Sequence, residues 1–188
     1  MTVINIFGGP GAGKSTMASE LFVMMKKLGY KVELVTEFAK DLVYADDNTR
    51  LDDQLMVFAE QHHRLFRLKD KVDFVITDSP LLIAKVYNKS LNGVIFNPFV
   101  DDIFDRYDNI NFVLERDDSF YQKYGRIHNL SQSKEIDNRI YNILKDREFF
   151  SIRTVEDIDE YLRLFYKGSF ESIIDRKQTI YRYMQDDE

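Results

Sequence analysis

The stretch GGPGAGKST, residues 8–16, decides the fold of this chain. It matches the pattern GxxxxGK[ST] at every position, and it follows an apolar run, residues 3–7, and precedes apolar residues at helical spacing, residues 17–28. A glycine-rich loop between a strand and a helix turns its backbone N–H groups toward an anion, and the helix N-terminus favours negative charge there. The stretch predicts a site for the phosphates of a nucleoside triphosphate. The alternative is a glycine-rich turn that holds no ligand.

Two side chains of this loop have predicted chemical roles. Lys14 is expected to reach the outer phosphates, and the Ser15 hydroxyl is placed to bind Mg²⁺. The other loop residues are expected to line the same nucleotide: Gly8, Gly9, Pro10, Gly11, Ala12, Gly13 and Thr16.

Composition limits the classes of function. The chain has 188 residues, which predicts one domain over 1–188, and it has no cysteine, which excludes thiolate catalysis and thiolate zinc sites. No apolar run approaches the roughly 18 residues of a membrane span, and the first residues read as a core strand rather than a signal peptide. We therefore expect a cytoplasmic protein that does not enter the membrane. The net charge of −6 favours a small acceptor over polymeric nucleic acid.

Strands alternate with helical patterns along the chain, which predicts an α/β fold with a parallel sheet covered on both faces. The predicted strands are residues 3–7, 32–35, 74–76, 110–114 and 149–152. The predicted helices include 14–28, 36–43, a long helix over 52–69 and one that begins at Asn97 and Pro98, whereas 45–50 is predicted to be a turn. In the long helix Leu55, Phe58, Leu65 and Phe66 are expected to face the core. Thr154 and Asp157 form a capping box that predicts a further helix.

Two acids follow strands at the sheet edge where ligands bind in open parallel folds. Asp78 follows the third strand, where it is expected to hold Mg²⁺ together with Ser15; the alternative is a cap for a helix over 81–87. Glu37 follows the second strand, where it is expected to take the proton of an acceptor hydroxyl. The alternative for Glu37 is a first-turn glutamate that the helix dipole favours.

Positive charge for the transferring phosphoryl group is expected from two arginines. Arg126 lies in a polar stretch, residues 117–131, that is typical of a lid excluding water from the reaction, although an ordinary surface loop is also polar. Arg116 ends the fourth strand, and its alternative role is an ion pair with Asp117 or Asp118.

The long helix after Asp52 is the predicted wall of the acceptor pocket. Gln54 and Gln61 are two turns apart on one face, and Arg64 is one turn further. A glutamine amide can form paired hydrogen bonds with a nucleobase or a carboxamide, so these three residues are candidate acceptor-binding residues. The alternative is that they lie on a solvent-exposed face.

The sequence resembles a known group of proteins. The segments GGPGAGKST, VTEFAK and ITDSP and the arginine-bearing lid are similar to the phosphate-loop nucleoside and nucleotide kinases, and more closely to small phage-type AAA ATPases similar to the nicotinamide riboside kinase domain. The resemblance covers about residues 1–150 and implies a three-layer α/β/α fold, strand order 2-3-1-4-5 and Glu37 as the catalytic base. The third strand ends in Asp78, Ser79 and Pro80 where nucleoside kinases commonly carry an arginine, which leaves the acceptor open.

These observations predict a kinase that uses ATP and Mg²⁺ to phosphorylate a nucleoside, a nucleotide or a nicotinamide-riboside-like acceptor. A kinase of a hydroxymethylated base in DNA and a regulatory ATPase without a small-molecule acceptor are the alternatives. A GTPase is not expected, because the only Asn-Lys pair, Asn88 and Lys89, lacks the aspartate that reads guanine. The C-terminal stretch with Phe170, Ile173, Ile174 and Tyr181 is predicted to pack on the core or on a second subunit as a homodimer.

Overall fold

Five parallel strands form the sheet of the computed structural model, which describes residues 1–89, 91–118 and 129–165. The order in the sheet is β2-β3-β1-β4-β5, as the resemblance implied. The strands are β1 (Thr2–Phe7), β2 (Val32–Val35), β3 (Phe74–Thr77), β4 (Asp108–Leu114) and β5 (Phe150–Ile152). All four neighbouring pairs are parallel.

Eight helices connect or follow these strands within the described residues. They are α1 (Lys14–Lys27), α2 (Phe38–Tyr44), α3 (Asn48–Asp52), α4 (Gln54–Phe66), α5 (Ile83–Tyr87), α6 (Gly93–Phe104), α7 (Leu130–Leu144) and α8 (Val155–Phe165). No helix in the described ranges is long and apolar enough to cross a membrane.

The helices cover both faces of the sheet because successive strand residues point to opposite sides. Ile4 and Ile6 of β1 pack with residues of α1 and α8, whereas Val3 and Phe7 pack with residues of α4, α5, α6 and α7. The result is the predicted three-layer α/β/α arrangement, with β1 buried at the centre of the sheet. The loop after β1 therefore starts from a fully buried central strand.

Two helix ends have local signals in the sequence. Gly29 follows α1 with a φ of 81°, the left-handed conformation in which many helices end. The capping box before α8 is formed, since the Thr154 backbone N–H donates to Asp157 Oδ2 at 2.9 Å and the Asp157 N–H donates to Thr154 Oγ1 at 3.4 Å.

The predicted start of α6 at Asn97 is wrong, because the residue that caps this helix is Asn92. The helix begins at Gly93, because Asn92 Oδ1 accepts a hydrogen bond from the Val94 N–H, and Pro98 lies inside the helix. The buried residues of α6 are Phe96, Val100 and Phe104, so the packing of this face extends the helix upstream of Asn97.

The turn predicted over 45–50 and the core face of the long helix also need correction. Residues 48–50 belong to α3, which Asp47 caps by accepting from the Arg50 N–H. In α4, Phe58 and Leu65 are buried as predicted, but Leu55 and Phe66 are 50% and 54% exposed. The reason is that only one face of α4 packs against the core, and Leu55 and Phe66 do not lie on that face.

Candidate nucleotide site

The loop between β1 and α1 has the backbone shape that an anion site requires. Gly11 and Gly13 adopt φ angles of 78° and 99°, which residues with a Cβ rarely adopt. Gly13 is the N-cap of α1, and no side chain in the described residues caps this helix end. The first N–H groups of α1 are therefore left for a ligand, at the end of the helix where the dipole favours negative charge.

Lys14 lies at the centre of a charged cluster. Its Nζ donates to the backbone oxygen of Gly9 at 3.1 Å. Burial lowers the pKa of Lys14, while the neighbouring carboxylates of Glu37, Asp78 and Asp137 act in the opposite direction. The ammonium group thus lies beside the loop, among carboxylates of opposite charge.

Ser15 and Asp78 meet at the carboxyl edge of the sheet. The Ser15 hydroxyl donates to Asp78 Oδ2 at 2.6 Å. Asp78 is 4% exposed, and its Oδ1 has no hydrogen-bond partner in the described part of the chain. A buried carboxylate oxygen without a partner is costly, and a bound cation would remove this cost. The alternative role of Asp78 as a helix cap is not seen, because α5 begins at Ile83 with no side-chain cap.

These two residues fit Mg²⁺ chemically. A hydroxyl and a carboxylate are hard oxygen ligands, and Mg²⁺ commonly binds one or two protein oxygens while phosphates and water complete its shell. The described residues contain no group of three His, Asp or Glu side chains that could hold a metal by themselves. The pair therefore suits a cation that arrives with a nucleotide.

Glu37 occupies the N-cap of α2, immediately after β2. Its carboxylate makes no capping hydrogen bond to this helix. It nevertheless lies at the helix end where the dipole favours negative charge, so the helix-dipole role stays an alternative prediction. Burial raises the pKa of Glu37, and Lys14 acts in the opposite direction. The carboxylate therefore belongs electrostatically to the cluster around the loop.

Gln61 and Arg64 of α4 hold the backbone on both sides of Glu37. Gln61 Oε1 accepts from the Phe38 N–H at 2.9 Å, and its Nε2 donates to the Thr36 carbonyl at 3.3 Å. Arg64 pairs with Asp41 and lies 5.0 Å from the Phe38 ring centroid. The structure thus places these two candidate acceptor residues next to Glu37, with polar groups directed at α2 and the residues before it.

Gln54 lies two turns away, at the start of α4. Its Nε2 donates to the Leu51 carbonyl at 3.0 Å. Gln54 and Gln61 are only 8% and 5% exposed, so the alternative of a solvent-exposed face is wrong for both glutamines.

Arg116 has a partner that the sequence analysis missed. Its guanidinium pairs with Asp137 of α7, at 2.7 Å from Nε to Oδ2, and donates through Nη1 to the Pro10 carbonyl at 2.9 Å. The predicted alternative partner Asp118 instead pairs with Lys134. Asp137 directly follows the buried Ile136 in α7, and no local sequence pattern identifies its contact with the loop.

Asp137 and α7 also reach the loop itself. The Gly9 N–H donates to Asp137 Oδ1, and a Cβ added at Gly9 would lie 2.6 Å from the Ser133 carbonyl oxygen. The approach of α7 therefore requires glycine at position 9. The candidate residue Arg126, and residues 119–128 of the predicted lid, lie outside the described residues, as does the C-terminal stretch predicted for subunit contact.

Gly9→Ala is expected to destabilise the protein by about 1–3 kcal/mol, because the new methyl group meets a backbone oxygen that cannot rotate away. Urea unfolding monitored by circular dichroism measures the change. Gly93→Ala is the matched control, since its Cβ would meet the Asn97 side chain no closer than 3.4 Å. Equal stability of the two variants would contradict the close approach of α7.

The comparisons with known proteins agree with this fold. A family model described as AAA domain matches residues 3–161. The chain belongs to this AAA domain family. The family match confirms the resemblance to AAA ATPases seen in the sequence. No curated protein sequence matches the chain significantly.

Two similar solved structures are of deoxyadenosine kinase from M. mycoides, one with the products dCMP and dCDP and one with dATP. They are 20% identical to this chain, with TM-scores of 0.54 and 0.51, and each match covers 85% of this chain and 98% of the kinase. At this identity the likeness establishes only the fold, which this chain shares with that kinase.

Proposed function

We propose that this protein is a kinase, formed as one domain over 1–188, that transfers the γ-phosphoryl group of ATP to a hydroxyl or phosphate of a nucleoside-like small molecule. The observation that supports it most directly is the charged cluster of Lys14, Glu37 and Asp78 beside the phosphate loop. A site that only bound a triphosphate would need the lysine and the aspartate. The additional carboxylate of Glu37, which would repel phosphates, is explained by a hydroxyl acceptor, which must lose a proton.

The proposed transfer uses the residues as follows. The acceptor oxygen forms a bond to the γ-phosphorus while the bond from that phosphorus to the β–γ bridging oxygen breaks, and ADP leaves with the bridging oxygen and its electron pair. Glu37 accepts the hydroxyl proton. Lys14 and the loop N–H groups hold the phosphates, and Arg116 and Arg126 stabilise the charge that is transferred. Ser15 and Asp78 would hold Mg²⁺, which supplies charge neutralisation when it is bound.

The acceptor in this proposal binds beside Glu37, at the N-terminal end of α2. Gln61 holds the backbone of residues 36 and 38, which fixes the position of Glu37 between them. Gln54, Gln61 and Arg64 are proposed to form the wall of the acceptor pocket. We further propose a cytoplasmic location, with which the absence of cysteine is consistent. We also propose that the protein forms a homodimer, which light scattering would test.

An acceptor panel with labelled ATP tests the proposal. Nucleosides, nucleotides, nicotinamide riboside and hydroxymethylated DNA are each incubated with the protein, and label transfer is compared with phosphate release in water. We expect transfer to a small nucleoside-like molecule and slow release in its absence. Transfer to the DNA alone would support the kinase of a modified base, and rapid release with no acceptor would support the regulatory ATPase.

The pH range over which kcat/KM is high is expected to be narrower than a glutamate and a lysine with ordinary pKa values would give. Glu37 must be ionised to act, and because its pKa is raised, activity should be lost on acidification at a pH above the value of about 4.3 for a free glutamate. Lys14 must be protonated, and because its pKa is lowered, activity should be lost on the alkaline side below about 10.4. Stopped-time assays in constant-ionic-strength buffers measure both limits. An acidic limit at or below 4.3 would exclude Glu37 as the base in this environment.

A further inference from the structure

Asp137 and Arg116 form hydrogen bonds with two consecutive residues of the phosphate loop. Asp137 Oδ1 accepts from the Gly9 N–H at 2.5 Å, and Arg116 Nη1 donates to the Pro10 carbonyl at 2.9 Å. The two side chains are bonded to each other through Nε and Nη2, at 2.7 and 3.3 Å. We call this group of Gly9, Pro10, Arg116 and Asp137 the loop clamp.

Burial makes the two charges of the loop clamp depend on each other. The side chain of Arg116 is 7% exposed and that of Asp137 is 20% exposed. A buried guanidinium without a counter-charge is strongly unfavourable, so Asp137 is what allows Arg116 to remain against the loop before a nucleotide binds. Three of the five N–H groups of Arg116 are used in the clamp. Within the described residues, one N–H on each of Nη1 and Nη2 has no acceptor and could donate to a ligand.

We propose that Asp137 is a positioning residue for ATP turnover, which acts by holding the Gly9 amide and the Arg116 guanidinium in the arrangement that the transferring phosphoryl group needs. The proposal rests on the proposed function, because it requires that ATP reacts in this loop. A carboxylate beside a phosphate site would by itself repel the nucleotide. Here its charge is offset by the guanidinium and its oxygens accept from Gly9 and Arg116, so the net effect of Asp137 is on geometry.

The test is Asp137→Asn, which keeps the size of the side chain and an oxygen for the Gly9 N–H but removes the charge opposite Arg116. ATP turnover is measured with the best acceptor of the panel and also as hydrolysis without acceptor. We expect turnover to fall about 10²-fold, the size of effect known for a small displacement of a reacting group, and the Kd of MgADP to change less than about 3-fold. Glu135→Gln, which removes an exposed carboxylate from the same helix, is the matched control and should leave both unchanged.

A second pair of variants separates positioning from stability. If Asp137 acts through Arg116, its substitution should matter little once Arg116 is gone. ATP turnover of the double variant Arg116→Gln, Asp137→Asn should therefore be less than about 3-fold below that of Arg116→Gln alone. This double variant removes both charges together and avoids an unpaired buried charge, so it keeps the proposal testable even where Asp137→Asn alone unfolds.

Several results would overturn the proposal. One is that Asp137→Asn leaves ATP turnover per folded molecule unchanged. Another is that the loss of turnover in the double variant equals the product of the losses in the two single variants. A third is MgADP binding more than tenfold tighter with unchanged turnover, since the carboxylate would then be a competitor of the phosphates. Failure of the kinase proposal would look different: the acceptor panel would give no transfer while hydrolysis still responded to Asp137→Asn. Absence of MgADP binding by the unaltered protein would overturn both.

Discussion

Lys14→Ala is expected to reduce phosphoryl transfer by on the order of 10³-fold or more while the protein remains folded. The lysine carries the positive charge that is directed at the outer phosphates, and its Nζ contacts the loop carbonyl of Gly9 rather than the apolar core. Removing it therefore takes away charge stabilisation in the transition state at little cost in packing. Transfer of labelled phosphate, measured at saturating ATP, gives the loss.

Thermal melting separates this catalytic effect from a structural one. Without nucleotide, Lys14→Ala should melt within a few degrees of the unaltered protein, whereas the increase in Tm that MgADP produces should shrink, because a ligand stabilises only in proportion to its affinity. Lys27→Ala is the matched control: it removes an exposed lysine at the other end of α1. If Lys14→Ala retained full activity, the phosphate loop could not be the site of transfer.

The parts of the fold that the sequence predicted correctly are those with local signals. The strands are rich in apolar residues, the phosphate loop has its own spacing, and β2 has the bounds that the sequence analysis gave. The short helix α3 was missed because five residues are too few to show a helical period. Pro98 was misplaced because Asn-Pro is a frequent helix start, whereas the cap from Asn92 and the packing of Phe96 show that α6 begins earlier.

The sequence predicted the site residues that directly follow strands. It did not predict the contacts that form through the packing of a helix. Asp78 and Glu37 could be selected because parallel strands bring their carboxyl ends to one edge of the sheet. Asp137 could not, because its contact with Gly9 joins positions 128 residues apart through the docking of α7. The burial of Gln61 depends in the same way on the contact between α4 and the residues around Glu37. Sequence patterns carry no information about such contacts between elements.

Glu37→Gln is expected to reduce turnover by about 10² to 10⁴-fold with a hydroxyl acceptor, while ATP affinity changes little. The substitution keeps the size of the side chain and its ability to form hydrogen bonds, but the amide cannot accept the acceptor's proton. Because Gln61 holds the backbone at residues 36 and 38, the new side chain should occupy the place of the old one. Hydrolysis in the absence of acceptor should respond much less, since water does not need the acceptor pocket.

The same variant identifies the chemical class of the acceptor. A phosphate acceptor is already ionised and needs no base, so a loss of less than about tenfold would indicate a nucleotide kinase, whereas a loss of 10² or more would indicate a hydroxyl acceptor. Glu33→Gln is the matched control, because it removes a solvent-exposed carboxylate of β2 whose ion pair with Lys26 contributes little. Unfolding of Glu37→Gln under conditions where Glu33→Gln is folded would show that Glu37 is structural, and the role proposed for it would fail.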